Sequence, residues 1–165
     1  MISKTPKGAV EEILTKLTNE QAKNFILTYI YYIEYADDLV DGESIDRLLA
    51  VKNFTSLAIQ VFNHPYYVHY REALCMVEVN NNINYFTSVS WEKSNAAWKR
   101  RDAKMLARSG IEMIFAVLVV ELGIEQARPL CEELREIVHL YHYSDGKVGK
   151  NFVNETNQIT TKGEN

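Results

Sequence analysis

Residues 29–42 read YIYYIEYADDLVDG, an apolar and aromatic run that ends in three of the chain's six aspartates, Asp37, Asp38 and Asp41. On a helix, Glu34, Asp38 and Asp41 lie on one side at spacings of four and three residues. Asp37 flanks that side. Carboxylates repel one another at this spacing and are unfavourable at a helix C-terminus, at a cost of roughly a few tenths of a kcal/mol each. A divalent cation would reverse that penalty, so the stretch predicts either a Mg²⁺ site or an acidic, solvated helix end.

Helical signals extend from this stretch in both directions. The chain has 165 residues, of which 47% are hydrophobic, and its three prolines and seven glycines fall mostly where a helix would begin or end. No segment shows the sustained alternation of a strand. The expected fold is therefore all-α, a single-domain antiparallel helical bundle of about six helices over residues 1–143, with a polar C-terminal tail over residues 144–165. The helices are expected to begin near Pro6, Thr18, Ser44, Tyr66, Ala96 and Leu130.

Local residue signals place several helix ends. Thr18 and Gln21 form a capping-box pattern for the second helix, for which Gly42 is the expected stop. Ser44 is the expected cap of the third helix, and Asn63-His64-Pro65 is the expected break before the fourth. Gly123 is the expected end of the fifth helix.

The composition narrows the functional classes. A net charge of -4 and a pI of about 5.6 argue against a general binder of nucleic acid or anionic membranes. Cys75 and Cys131 match no metal or redox spacing, and we expect both to be reduced in a cytoplasmic protein. The N-terminus lacks the apolar run of a signal peptide, and the most apolar segment, Met113–Val120, is too short to cross a bilayer.

The fourth expected helix, from Tyr66 to about Glu92, carries a second set of oxygen donors. Asn84, Ser88 and Glu92 recur at four-residue steps on one face, which suits a metal site. The alternative interpretation is the polar outer face of an amphipathic helix. The apolar side expected to face the core consists of Leu74, Val77, Ile83, Phe86 and Val89.

A basic segment near the start of the fifth helix completes this group. Arg101, Lys104 and Arg108 share one helical face. If the second, third and fourth helices run up, down and up, the aspartates, the Asn84 triad and this basic face meet at one end of the bundle. Acids for a metal and cations for a polyanion suit a small-molecule diphosphate ester bridged by metal. The alternative is that these cations pair with surface acids such as Asp102.

Residues 25–43, which contain Phe25, Tyr29 and the sequence ADDLVDGE, resemble the first aspartate-rich helix of squalene and phytoene synthases, which are class I terpenoid synthases. The three aspartates match that motif, and the Asn84 triad is similar to the metal triad of terpene cyclases. The resemblance implies an all-helical, reduced terpenoid-synthase-like fold in which Mg²⁺ holds a prenyl diphosphate. It also implies that ionisation leaves a carbocation among aromatic rings. The candidates for such a substrate pocket are Tyr31, Tyr35, Tyr85 and Phe86.

The leading expectation is Mg²⁺-dependent binding of a prenyl (isoprenoid) diphosphate, with its ionisation or transfer as the reaction. The second aspartate-rich motif of the synthases is absent, since no aspartate lies between Asp102 and Asp145. Glu34-x-x-Asp37 and Glu133-x-x-Glu136 resemble acidic pairs of all-α nucleotide pyrophosphohydrolases, which gives an alternative enzyme. A further alternative is a non-catalytic helical interaction protein whose tyrosine-rich helices pack in a homo-oligomer.

Overall fold

The computed structural model of the chain describes residues 6–41 and 46–144, except for the side chains at positions 38, 41, 47 and 140–144. These ranges contain eight helices and no strand, which confirms the all-α prediction and corrects the expected number of helices. The expected stop at Gly42, the cap at Ser44 and the tail beyond Ser144 lie outside the described residues. The helices are α1 Pro6–Lys16, α2 Glu20–Asp41, α3 Arg47–Phe62, α4 Pro65–His69, α5 Arg71–Glu92, α6 Ala97–Leu106, α7 Ile111–Leu122 and α8 Ile124–Ser144.

Two of the expected helices are each divided in two. The fourth becomes α4 and α5, because Tyr70 leaves helical geometry with φ -103° and ψ 25°. The fifth becomes α6 and α7, which are separated by a turn over residues 107–110. At the end of this turn a Cβ on Gly110 would lie 2.9 Å from Cδ1 of Ile33, so glycine allows the turn to approach α2 closely. Neither break contains a proline, which is why the sequence predicted a continuous helix across each of them.

The helix ends show which residues cap them. Asn19 caps α2 in place of the expected Thr18, since its side-chain oxygen accepts a hydrogen bond from the backbone N–H of Gln21 at 3.0 Å. Asp46 caps α3 in the same way. Gly123 ends α7 as predicted, with a φ of 76° that favours glycine. The last helix then begins at once, six residues before the expected start at Leu130.

Aromatic contacts show that α3 runs antiparallel to α2. The ring centroid of Phe25, near the start of α2, lies 5.5 Å from that of His64 just after α3. Farther along α2, the ring of Tyr32 stacks on that of Phe54 at a centroid distance of 5.2 Å. Nδ1 of His64 accepts a hydrogen bond from the N–H of Tyr66 and so caps α4. The expected break at Asn63-His64-Pro65 is therefore confirmed.

Side-chain hydrogen bonds show that α5 runs parallel to α2. The hydroxyl of Tyr29 bonds to Glu78, and eight residues later on α2 the carboxylate of Asp37 bonds to Tyr85. α6 then packs antiparallel to α5. The second, third and fourth expected helices thus run up, down and up, which brings the ends of α2 and α5 to the same end of the bundle.

The hydrophobic core is built mainly from α2, α7 and α8, with smaller contributions from α1, α3, α4 and α5. α7 contacts both α2 and α8, and α1 packs on α8. Within the two described ranges no helix combines the length and the apolar character that a membrane span requires. The largest fully buried side chains are Phe25, Ile26, Tyr29, Val61, Tyr66, Leu74, Met113, Val117, Leu118 and Leu134.

α5 turns a largely polar face inward and an apolar face outward. Its inner row, at alternating four- and three-residue steps, consists of Leu74, Glu78, Asn81, Tyr85 and Ser88. Its outer row, at the same kind of spacing, consists of Met76, Val79, Ile83 and Phe86, all exposed. The expected core side of this helix was therefore wrong for Ile83 and Phe86, which are 58% and 75% exposed. Glu78, Asn81 and Tyr85 of the inner row instead bond to partners on α2 and line a cavity.

Candidate ligand-binding cavity

A cavity of about 300 Å³ lies between α2 and α5. Most of its surface is apolar, and its walls include the rings of Tyr29, Tyr32 and Tyr85. The turn between α6 and α7 and Val138 of α8 close the remaining side. Because three tyrosine rings and several carboxyl and amide groups converge here, the cavity can hold a small molecule that has both apolar and polar parts.

The floor of the cavity is a buried polar network centred on Glu78, which is only 5% exposed. The hydroxyl of Tyr29 donates to Oε2 of Glu78 at 2.7 Å, and Nδ2 of Asn82 donates to Oε1 at 3.3 Å. Nδ2 of Asn81 in turn donates to the Tyr29 hydroxyl oxygen at 3.1 Å. Each link is consistent with one assignment of donors and acceptors, so the network fixes the positions of side chains from two helices.

Burial sets the protonation chemistry of this floor. Removal from water raises the pKa of Glu78 against the opposing effect of its hydrogen bonds from Tyr29, Asn82 and Tyr32. Burial, aided by Glu78, raises the pKa of Tyr32 to about 12. Burial and Glu78 also raise the pKa of Tyr29. The tyrosines are therefore neutral donors at physiological pH, and the carboxyl group is easier to protonate than one at the surface.

Asn81 leaves one acceptor of the floor open. The residue is 5% exposed, and no donor from the described part of the chain reaches its Oδ1. A buried amide oxygen without a hydrogen bond costs free energy, so the site favours a ligand or water that supplies a donor. Residues 80–82 form a run of asparagines, and neither this run nor Glu78 was among the residues predicted to form a site.

The rim carries charges of both signs. Glu34 and Asp37 line the cavity on the α2 side, and Oδ1 of Asp37 accepts a hydrogen bond of 2.9 Å from the Tyr85 hydroxyl. Arg108, in the turn between α6 and α7, also lines the cavity, and its Nη1 donates to the backbone oxygen of Lys104. Burial first, and then the guanidinium groups of Arg135 and Arg108, lower the pKa of His139. The rim therefore has an acidic side on α2 and a basic side near α8.

Of the predicted site residues, the cavity brings together Asp37, Tyr85 and Arg108. Ser88 is buried, but its hydroxyl donates to the backbone oxygen of Tyr85 at 2.7 Å in its own helix. Arg101 pairs with Asp102 at 3.1 Å. The remaining predicted residues whose side chains are described do not line the cavity: Tyr31, Tyr35, Asn84, Phe86, Glu92 and Lys104.

The candidate ligands for a metal ion lie on the acidic side of the rim. Asp38 and Asp41 belong to α2, but their side chains lie outside the described residues. Among the side chains that are described, no cluster of three or more His, Cys, Asp or Glu residues could hold a metal ion. Glu34 and Asp37 supply two carboxylates at the cavity mouth. That donor set fits Mg²⁺, which commonly binds proteins through one or two carboxylates and completes its shell with water and ligand phosphates.

No family model, curated protein or solved structure matches this chain.

Proposed function

We propose that this protein binds a small diphosphate ester, with the organic group in the cavity between α2 and α5 and the diphosphate at its rim. The observation that carries the proposal is the convergence of Asp37, Tyr85 and Arg108 from three parts of the chain on one cavity. These residue types are an oxygen ligand for a cation, an aromatic wall and a cation for an anion. The sequence separates Asp37 from Tyr85 by 48 positions, so only the fold brings them together.

The rim supports the phosphate part of the proposal. A guanidinium group such as that of Arg108 binds phosphate oxygens in a fixed, often bidentate geometry. Glu34 and Asp37 would repel a bare diphosphate, and Mg²⁺ between the two would neutralise that repulsion. When bound, Mg²⁺ would also stabilise negative charge on a leaving diphosphate. Asp38 and Asp41, one and four residues beyond Asp37 on α2, are the further candidate ligands.

The cavity sets the size of the organic group. At about 30 Å³ for each water-sized group, a volume of about 300 Å³ holds roughly ten heavy atoms. A prenyl chain of five or ten carbons fits that space, whereas a chain of fifteen carbons exceeds it. The rings of Tyr29, Tyr32 and Tyr85 supply apolar contact and could stabilise a cation formed on loss of diphosphate. Ionisation or transfer of the prenyl group is the reaction that this arrangement would support.

A nucleotide is the second candidate, and Asn81 favours it. The open Oδ1 of Asn81 requires a hydrogen-bond donor, which a hydrocarbon chain lacks and an amino group of a nucleobase has. Hydrolysis of a nucleoside triphosphate to a monophosphate would again use the acidic rim and Mg²⁺. The two acidic pairs that suggested this enzyme do not meet, because Glu34 and Asp37 line the main cavity and Glu133 lines a separate small one between α1 and α8.

Isothermal titration calorimetry with the full chain tests both candidates. The ligands are a five-carbon prenyl diphosphate, a fifteen-carbon prenyl diphosphate, inorganic pyrophosphate and a nucleoside triphosphate, each with and without Mg²⁺. The site variants are Asp37→Asn and Arg108→Gln. The matched controls are Asp102→Asn and Arg101→Gln, which remove the same charges from an exposed ion pair away from the cavity.

The proposal predicts Mg²⁺-dependent binding of the five-carbon ligand that weakens by roughly tenfold or more in each site variant and is unchanged in both controls. The fifteen-carbon ligand should bind more weakly than the five-carbon one. Tighter binding of the nucleotide, lost in Asn81→Leu, would select the second candidate. If no ligand binds, or if Asp37→Asn and Asp102→Asn behave alike, the rim is not a diphosphate site.

A further inference from the structure

The outer row of α5 is an apolar surface that its own helix cannot turn inward. Met76 is 67% exposed, and the other members of the row are exposed as well. The opposite side of the same helix lines the cavity through Glu78, Asn81 and Tyr85, so rotation of α5 would destroy the polar floor. Glu72 and Ser90 extend the row at both ends with the same alternation of four- and three-residue steps, which is the heptad spacing of helix-pairing seams.

We infer that this protein forms a two-fold dimer in which the outer row of α5 packs antiparallel against the same row of a second copy. In a two-fold interface residue i contacts residue j of the other copy, and j contacts i. The row satisfies this condition about position 81, because Met76 and Phe86 lie five residues on either side of it and Val79 and Ile83 lie two. Met76 therefore faces Phe86 of the second copy, and Val79 faces Ile83.

The charges at the ends of the row suit the same arrangement. Glu72 lies in the first turn of α5, and Lys93 directly follows its last residue; both are exposed. In the antiparallel pair Glu72 lies opposite Ser90 of the second copy, and Lys93 of that copy lies one turn farther on. An acid and a base thus meet at each end of the contact. A parallel pair would instead bring identical charges together at both ends.

The row supplies about two thirds of the area at which stable protein interfaces begin. At roughly 100 Å² of exposed apolar surface for each side chain, the four members supply on the order of 800 Å² in two copies. Exposed polar neighbours such as Asn80, with Glu72 and Ser90 at the ends of the row, extend the contact toward the roughly 1,200 Å² at which stable interfaces begin. A pair of α5 helices can therefore supply most of the interface.

A second exposed apolar row on α3 provides the competing surface. It consists of Leu48, Val51, Ile59 and Phe62. The polar residues at its two ends are occupied in capping the helix, since Asp46 accepts from Leu49 and Asn63 donates to Ile59. No pair of opposite charges corresponding to Glu72 and Lys93 stands at the described ends of this row. The charge pattern therefore favours α5 as the dimer contact.

Sedimentation velocity of the full chain over a range of concentrations tests the dimer. Ile83→Glu places two carboxylates near the two-fold axis and should weaken association by roughly 100-fold or more. Ile59→Glu on α3 is the matched control, because Ile59 is 60% exposed and Ile83 is 58% exposed. It should leave the dimer intact, and both variants should keep the helical circular dichroism of the natural chain. A natural chain that stays monomeric at micromolar concentration, or a dimer broken by Ile59→Glu and not by Ile83→Glu, would overturn the inference.

Disulfide cross-linking tests the register independently of stability. In a Cys75→Ser background, Val79→Cys combined with Ile83→Cys should give a covalent dimer on mild oxidation, because the two positions face each other across the axis. Met76→Cys alone should not give a covalent dimer, since the two copies of residue 76 lie ten residues, or about 15 Å, apart along the helix axis. Cross-linking through Met76→Cys alone would show a parallel pair, and no cross-linking by either variant would exclude the α5 contact.

Discussion

The two sides of α5 differ in a way that reverses the usual pattern of a helix. Helices of globular proteins commonly bury an apolar stripe and expose polar residues. In α5 the inner row contains a carboxyl, an amide and two hydroxyl groups, whereas the outer row is apolar throughout. Such a reversal lowers the stability of an isolated monomer on both sides. It is intelligible if the inner row serves a cavity that needs polar groups and the outer row serves a contact with a second molecule.

The difference between the two rows of α5 shows which parts of the fold provide its stability. The inner row contributes one fully buried apolar residue, Leu74, and the polar floor depends on hydrogen bonds to Tyr29 of α2. Most of the buried apolar side chains belong to α2, α7 and α8. α5 is therefore held to the bundle by the buried side chain of Leu74 and by a polar network, an arrangement suited to forming a site.

The largest expected effect on stability concerns Leu74, compared with Met76 of the outer row. Leu74→Ala removes a fully buried side chain and should lower the free energy of unfolding by about 2–5 kcal/mol. Met76→Ala, two residues away and exposed, should change it by no more than about 0.5 kcal/mol in dilute solution. Urea unfolding at two protein concentrations measures both effects. Since a dimer contact stabilises by mass action, the Met76→Ala effect should grow with concentration and the Leu74→Ala effect should not.

The next effect tests the polar network. Tyr29→Phe deletes the hydroxyl that donates to Glu78 and accepts from Asn81, and it should cost about 1–3 kcal/mol because both buried partners lose a hydrogen bond. Tyr31→Phe is the matched control, because Tyr31 lies on the same helix with an exposed side chain. Its effect should be close to zero by thermal or urea unfolding. Equal effects of the two variants would mean that the network adds nothing to stability.

The sequence was sufficient for the all-α class and for the residues at several helix ends. Pro65 and Gly123 impose backbone preferences that depend little on the rest of the fold, so the breaks at these residues were predicted correctly. The turn over residues 107–110 was missed, because it depends on the close approach of Gly110 to Ile33 on another helix. Local signals do not contain that contact.

The same limit explains the outcome for the site. The aspartates of α2 and the cation Arg108 stood out in the sequence by their spacing, and Asp37 and Arg108 do share a cavity. The network of Tyr29, Glu78 and Asn81 was missed because its partners are about fifty residues apart and because the side of α5 that faces α2 was not predicted correctly. Periodicity also placed Ile83 and Phe86 on the core side of α5, because hydrophobicity alone does not distinguish them from Leu74, which is buried as expected.

A smaller effect follows from the protonation of Glu78. Burial raises the pKa of this carboxyl above its ordinary value of 4.5, so the folded state binds its proton more tightly than the unfolded chain does. The stabilising contribution of Glu78 is therefore complete below about pH 4.5 and is lost as the pH rises through the folded-state pKa.

Glu78→Gln removes that ionisation and should become progressively more stable relative to the natural chain as the pH rises, up to a plateau. Urea unfolding from pH 4 to pH 8 measures the difference. Glu92→Gln, at the exposed end of the same helix, is the control for removing a carboxyl from α5. A Glu78→Gln variant whose relative stability falls with rising pH would show that Glu78 is better stabilised as an anion than its burial indicates.

The smallest expected effect concerns Ser88, the last member of the inner row. Its hydroxyl donates to a backbone oxygen of its own helix and does not line the cavity. Alanine has the higher helix propensity and leaves no large gap at this position. Ser88→Ala should therefore change the free energy of unfolding by no more than about 0.5 kcal/mol, as should Ser90→Ala on the exposed side of α5.

Ser88→Ala also separates two accounts of the acidic end of the bundle. If Mg²⁺ binds through α2 and the ligand phosphates alone, the variant should keep the Mg²⁺ dependence of ligand binding that Asp37→Asn loses. If the terpene-cyclase resemblance of Asn84, Ser88 and Glu92 reflects a second metal site, Ser88→Ala should weaken that dependence while stability stays unchanged. The hydrogen bond of Ser88 to Tyr85 would then have to break on metal binding, and the ligand surface of the inner row would extend from Glu78 to Ser88.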